Sequence, residues 1–519
     1  MTVARAGEPE RITHRYGMQT APAAVARGAT APEPERIAHA DGGQTAPGRP
    51  EAAAGHRGGA MAVFTVAAVC GVGLSAHIAR GGPLLSVRWT LLTELAVWAT
   101  AWIVAVVAAF RLPRRVAMPL VFAVAVALRL AAIAGPPTTT DDYYRYSWDG
   151  RVQAAGIDPY EYTPGSTHLT QLREPWLWPE QRPCPLAYRP LGCTRINRSW
   201  VHTIYPPGAE AFFAGVYRLT GIGARWKPWQ VAGLLTDVGV VALLAGGLRR
   251  RGRDPRWVAL YALCPAPVLE IVNNGHVDGL AILLSLAAVV VSSTGTAGSR
   301  SAKEQGGPPA RRELLAGALV GSAALVKLFP ILLVVPLAAA APDRRSRALA
   351  RIGGTAAAVT AAGYLPHVLG VGTKVIGFLP GYLREEHYDG AGRYLVASVL
   401  RLPGGLAGAV SGLALIAALV WVWVRRPPAA KGAALVMGTL LLAASPVQPW
   451  YAVTLLAFAA LAVEPAWATV VVAGYPYFFA VILLHPHRVG IGQLAYGLAA
   501  IIAVAAGARS MRRCPESGC

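Results

Sequence analysis

Two adjacent carboxylates, Asp141 and Asp142, stand in the stretch "TTTDDYYRYSWDGRVQAAGIDPY" (138–160), crowded by Tyr143, Tyr144, Tyr146 and Trp148. Aromatic surroundings and a neighbouring like charge both make a carboxylate hold its proton more tightly, and so make it a stronger base. At least one of the pair is therefore expected to take a proton in a reaction. An N-cap for a helix beginning near Tyr143 would employ only one of them. A second cluster, "NNGHVDG" (273–279), packs amide, imidazole and carboxylate groups into one turn. Capping a helix there needs only Asn and Gly, which leaves His276 and Asp278 for a substrate. Two such ligands two residues apart match no closed metal-site spacing, so no metal is expected. Lys327, in "ALVKLFP", ends an apolar run, where an ammonium either snorkels to the interface or meets an anionic headgroup. "REEHYDGAGRY" (384–394) supplies Glu386, His387 and Arg393, with a solvated loop face as the alternative. "SPVQPWY" (445–451) adds Trp450 and Tyr451, and "HPHR" (485–488) is a weaker candidate.

What must position these groups is a membrane protein. Of 519 residues 54% are apolar and only 14% charged, and mean hydropathy is +0.42. Soluble domains carry about 25% charged residues, and apolar runs long enough to cross a bilayer recur from residue 60 to residue 508. The fold class expected is an all-α polytopic integral membrane protein with about 12–14 transmembrane helices. Their expected positions are near 60–79, 89–110, 116–135, 229–248, 256–272, 279–293, 313–327, 330–341, 350–369, 406–424, 432–446, 450–463, 466–484 and 491–508. The net charge of +21 is not that of a nucleic-acid binder. It sits in short basic loops (Arg111–Arg115, Arg249–Arg256, Arg300–Arg312, Arg344–Arg351, Arg425–Lys431, Arg509–Arg513), which the positive-inside bias assigns to the cytoplasm together with both termini.

On that layout the candidate groups all gather at the outer ends of spans. Residues 136–228 form a large external loop, with 205–223 a surface helix anchored by Trp226 and Trp229. Residues 373–405 form a second external loop. Glu94, Arg129 and Asp237, inside spans, are expected to make structural ion pairs or hydrogen bonds. Cys184 and Cys193 lie in the external loop, where a disulfide is expected. The first 59 residues are different in kind: "EPERITHRYGMQTAP" returns as "EPERIAHADGGQTAP", too polar for a core and too long for a signal peptide. This segment is expected to be a disordered cytoplasmic tail. A secondary transporter would show internal repeats and midplane binding groups, and neither is visible; a lipid-linked-sugar transporter or flippase without catalysis would use the same cations and stands as the alternative to an enzyme.

In order along the chain come "DDYYRYSWDGRVQAAGIDPYEYTP", "RIN", "TIYPP", "NGHVDG", "ALVKLFPILLVVP" and "QPWY". In these motifs, over roughly 116–460, the chain resembles the family 87-like membrane glycosyltransferases of the GT-C superfamily, which include actinobacterial polyprenol-phosphomannose-dependent mannosyltransferases. The resemblance implies a GT-C-type helical bundle whose first large extracytoplasmic loop carries the catalytic acid, and it implies a lipid-phosphate-linked sugar as donor and an inverting transfer. The family's D-x-x-R-Y context selects Asp142, followed by Arg145 and Tyr146, with Asp141 as its neighbour. Trp148, Asp149 and Arg151 continue that motif as substrate-binding candidates, Tyr205 belongs to the "YPP" element, and Gly275, His276 and Asp278 match the family's turn, with Val277 where Asn is frequent. Gln448 stands where His often precedes "PWY". The implied division is a catalytic module over 111–372, preceded by two helices at 60–110 and followed by helices over 406–508 and a cytoplasmic tail from 509. The expected enzyme moves a hexose, mannose by preference, from a polyprenyl-phosphate donor to a glycan, glycolipid or metabolite at the outer face of a bacterial plasma membrane, with no cofactor. Asp142 would be the base, while Lys327, Arg393 and Arg145 would meet the donor phosphate.

Overall fold

The structure is a computed structural model that describes residues 49–512 except 82–87, 180–192, 222, 224, 294–308, 342–343, 391–392, 446–447 and 485–488. The chain divides into two compact units, Met1–Ala52 and Ala53–Cys519, and every candidate site residue belongs to the second. The duplicated stretch of the expected tail lies outside the described residues, whereas the last part of that tail is helical from residue 49.

Among the described residues the chain is helix and turn only. Its main helices are α1 (Arg49–Arg80), α2 (Arg88–Arg111), α3 (Arg114–Ala132), α4 (Asp142–Ala154), α5 (Pro207–Thr220), α6 (Lys227–Arg250), α7 (Asp278–Ser292) and α8 (Pro309–Val326). They are followed by α9 (Arg345–Val371), α10 (Leu379–Glu385), α11 (Gly404–Arg425), α12 (Ala429–Ala444), α13 (Trp450–Ala462), α14 (Ala468–Leu484) and α15 (Val489–Arg512). Among the described residues six helices are long and apolar enough to cross a bilayer, and seven if Pro267–Asn273 and α7, bent by 117°, count as one span. The protein is an all-α polytopic membrane protein. Each expected apolar stretch that the structure describes is helical, but several are shorter or more broken than a full crossing. Residues 256–272 show why. Pro255, Pro265 and Pro267 lack the amide hydrogen a helix needs, and the stretch becomes short turns at Pro255–Val258, Ala259–Ala262 and Pro267–Asn273, the last a π-turn.

Close packing uses small residues. Gly317 and Gly321 on α8 are spaced so that both face α9, and a Cβ on either would come within 2.6 or 2.7 Å of the Ile352 or Ala356 carbonyl oxygen. This is the small-xxx-small contact of membrane helices. Between α4 and α5 the same part is played by Gly150, whose Cβ would meet the Phe213 carbonyl oxygen at 2.6 Å. Helix α5 starts at a proline whose missing N–H costs nothing in the first turn, and its cap is Gly221 at φ 74°. It is laid against α4, and Trp229, expected as an interfacial anchor, is instead buried, with Nε1 donating to Ser147 Oγ at 2.8 Å.

The charges expected inside spans are paired. Arg129 Nε donates to Asp237 Oδ2 at 2.5 Å, Tyr261 Oη donates to Asp237 Oδ1 at 2.9 Å, and Arg129 Nη1 reaches the carbonyl oxygens of Ala262 (2.7 Å) and Ala125 (3.0 Å). This cluster joins α3, α6 and the broken 255–262 segment. Glu94 lies 3.4 Å from His77. Removing one member of a buried pair leaves the other charge unsolvated. Arg129→Met or Asp237→Leu alone is therefore expected to cost about 3–5 kcal/mol, and the double variant to recover most of it. Thermal denaturation in detergent measures this, and a double variant as unstable as the singles would contradict it.

Candidate active site

A cavity of about 1020 Å³ opens at the end of the bundle where the 136–228 and 373–405 loops lie. The loop that leads into it is held by two asparagines. Asn273 Oδ1 and Asn274 Oδ1 accept from the Thr138 backbone N–H (3.0 and 3.2 Å), and Asn274 Oδ1 accepts again from that of Thr139 (3.2 Å). Their amides donate to the carbonyl oxygens of Ala132 (2.8 Å) and Pro136 (3.1 Å) and to Thr139 Oγ1 (2.5 Å). Gln230 bridges the Gly135 and Asn273 carbonyls at 2.9 and 2.8 Å. The buried backbone of 132–139 is thus satisfied by side chains, and Asp141 and Asp142 follow directly. Gly275 sits at φ 70°, and a Cβ there would lie 2.9 Å from Trp229, so this turn requires glycine twice over.

Asp142 begins α4 and lines the cavity, its side chain 24% exposed. Its Oδ2 accepts from Tyr205 Oη (3.3 Å) and Tyr146 Oη (3.5 Å), and His276 Nε2 stands 3.9 Å away. Burial raises its pKa, as does Asp141; Lys327, Tyr205 and Arg198 oppose the rise. Asp141 also lines the cavity and accepts from Asn197 Nδ2 at 2.5 Å. His276 is fully buried behind the acid; its Nδ1 is 2.8 Å from the Glu270 carbonyl oxygen, and its ring stacks on Trp450 at 4.0 Å. An imidazole nitrogen facing a carbonyl must carry the proton, which leaves the neutral ring's Nε2 lone pair towards Asp142. Lys327 Nζ pairs with buried Asp278 Oδ2 (3.2 Å) and lies 5.6 and 5.0 Å from the rings of Tyr205 and Tyr451.

The cavity therefore collects Asp141, Asp142, Arg145, Tyr205, Lys327, Glu386, Trp450 and Tyr451 of the residues expected from the sequence. Tyr146, His276 and Asp278 stand directly behind Asp142 and Lys327. The remaining candidates are elsewhere. Trp148, two residues on from Tyr146 and so on another face of α4, is buried with Val152, Leu169, Leu177, Trp178 and Ile196. Asp149 is 2% exposed and holds Arg145 Nε with both oxygens, at 2.9 and 2.8 Å. Arg151 pairs with Glu174 and reaches Tyr217. These three build the loop and do not line the cavity. Arg393, expected at the donor phosphate, is 3% exposed and stands behind Glu386, with Nη1 3.2 Å from Oε2. His387, at φ 57°, is exposed and turned away. Cys193 is disulfide-bonded; Cys184 and the 485–488 histidines lie outside the described residues.

The sequence alone does not single out Asn197, Arg195, Arg198, Tyr382 and Tyr388, which line the cavity together with Gln448, the residue that stands where His often precedes the aromatic pair. Arg198 pairs with Glu385 of the other loop at 2.6 Å. "RIN" drew notice as a motif, but loop residues carry no periodicity that would say which of them turn inward. Beside this polar end, the cavity wall is apolar, with Leu328, Phe329, Met437, Leu440, Leu441, Ala444 and Phe478.

Such a site joins ionisable groups to an apolar wall within an all-α membrane bundle. Residues 203–446, a little under half of the chain, match Glycosyltransferase family 87. Among solved structures it is similar to ArnT from Cupriavidus metallidurans bound to undecaprenyl phosphate, at 15% identity over 75% of this chain and 76% of that one, with a TM-score of 0.40. No curated protein matches the chain. Because Trp148 packs the loop and not the cavity, Trp148→Ala is expected to destabilise by about 3–5 kcal/mol while leaving turnover per folded molecule unchanged. Melting curves and active-fraction kinetics separate the two, and lost turnover in a stably folded variant would return Trp148 to the substrate.

Proposed function

We propose that the protein transfers a hexose, mannose by preference, from a polyprenyl-phosphate carrier to an acceptor hydroxyl on a glycan, glycolipid or metabolite, at the outer face of a bacterial plasma membrane. One observation carries this reading: the Asp142 carboxylate and the Lys327 ammonium line the same cavity, whose adjoining wall is apolar. A prenyl phosphate matches that combination, with its tail along the apolar wall and its phosphate at the lysine. The basic loops between spans support placing this end of the bundle outside and both termini in the cytoplasm.

The chemistry follows from the residues. The acceptor oxygen attacks the anomeric carbon as the bond to the phosphate oxygen breaks, and the configuration inverts. Asp142 takes the hydroxyl proton. The bond's electron pair leaves on the prenyl phosphate, already a stable anion, which needs cations and not a second acid. Lys327 meets that charge, and Arg145 and Arg198 line the same cavity. Asp278 fixes the lysine, and the two tyrosine hydroxyls fix the oxygen of Asp142 that His276 faces.

Asp142→Asn keeps the size and loses the base. It is expected to lower transfer about 10²–10⁴-fold while polyprenyl-phosphate binding persists; undiminished transfer removes the assignment and favours a transporter. The pH dependence has a definite sign. Asp142 works ionised, and its raised pKa puts the acid limb of kcat/KM above the ordinary carboxylate value of about 4. Lys327 lowers that pKa and Asp141 raises it, so Lys327→Met is expected to move the limb up and Asp141→Asn to move it down. A pH–rate profile in which either variant shifts the limb the other way would exclude Asp142 as its source.

A further inference from the structure

The polar end of the cavity is not chemically uniform. Lys327, Arg145 and Arg198 are donors without acceptor capacity. Glu386, from the second loop, and Gln448, just before α13, are held as acceptors. Glu386 Oε2 receives Arg393 Nη1 at 3.2 Å, and its Oε1 receives Gln448 Nε2 at 3.2 Å. Because its amide is donated there, Gln448 turns its carbonyl oxygen elsewhere; this Oε1 is buried with no hydrogen-bond partner among the described residues. Arg393, clamped behind the wall with its guanidinium 4.6 Å from the Tyr388 ring centre, keeps Glu386 aligned without reaching the cavity itself.

A carboxylate beside an unfilled amide oxygen repels phosphate and accepts hydroxyl protons. A buried acceptor left without a partner is costly, so a ligand that fills this place brings O–H donors. Tyr382, Tyr388, Trp450 and Tyr451 also line the cavity, and aromatic faces suit the C–H faces of a pyranose. Lys327 lines the same cavity as Glu386 and Gln448, and its Nζ is 5.0 Å from the ring centre of Tyr451, three residues after Gln448. A sugar on a phosphate at Lys327 would share that cavity with both acceptors. We infer that Glu386 and Gln448 form the subsite for the donor sugar's hydroxyls and select which sugar the carrier presents, with Arg393 as a positioning residue. This role rests on the proposed transfer and deepens it.

The test measures binding of polyprenyl phosphate and of polyprenyl phosphate mannose to the full chain in nanodiscs, without acceptor, for the wild type, Glu386→Gln and Gln448→Met. Glu386→Gln keeps the shape and exchanges an acceptor for a donor. Both variants are expected to lose about 10- to 100-fold in affinity for the sugar-bearing lipid and to bind the sugar-free lipid as the wild type does, which also reports that they fold. Equal loss for both lipids overturns the assignment, and so does unchanged binding of both. Unchanged binding with a raised KM for the acceptor hands these groups to the acceptor and overturns it as well. A wild type that binds neither lipid overturns the proposed transfer itself.

Discussion

The site depends on a hydrogen-bonding constraint. A loop leaving a membrane helix must satisfy its peptide groups in a place where water is scarce, and here Asn273 and Asn274 do so for 132–139. The same turn carries His276, and α7 starts at Asp278. One short segment therefore fixes the approach to Asp142, faces it with an imidazole and supplies the counter-ion of Lys327. Gly275, pressed against Trp229 at positive φ, lets that segment reverse direction. Asp142 and Lys327 share a frame because one turn holds both.

Around this frame several of the buried charges face a counter-ion. Asp278 faces Lys327, Asp149 faces Arg145, Glu386 faces Arg393, and deeper in the bundle Asp237 faces Arg129. Asp142 differs: its oxygen receives two hydroxyls and no close cation, and it keeps part of its surface in the cavity. A carboxylate partly desolvated and only weakly compensated is one whose proton affinity rises, as general-base chemistry requires.

The residues legible in the sequence were those whose type is unusual for their place: an acid pair beside an apolar run, a lysine ending another, a histidine and an acid in excess of a turn's needs. All of these meet at or just behind the cavity. Trp148, Asp149 and Arg151 are substrate contacts by the motif they continue, yet a helix turns about 100° per residue, so Trp148 and Arg151 leave the face of Asp142, while Asp149, about two turns further along that face, is taken up by Arg145. Arg393 carried the right charge for a phosphate, but its partner Glu386 stands between it and the cavity. Asn197, Arg198 and Tyr382 went unnoticed because each is ordinary in a loop, and only the approach of two loops distant in sequence brings them to one wall.

By itself, then, the sequence determined the solvent the protein lives in, the helical class, the positions of its apolar stretches and the acid pair that lines the cavity. These depend on composition, periodicity and local polarity, which are properties of neighbours along the chain. Tertiary structure decided which helices break, which face of α4 meets the cavity, and which cations line the cavity and which stand behind it. Those outcomes depend on contacts between segments up to hundreds of residues apart, for which a single sequence carries no signal.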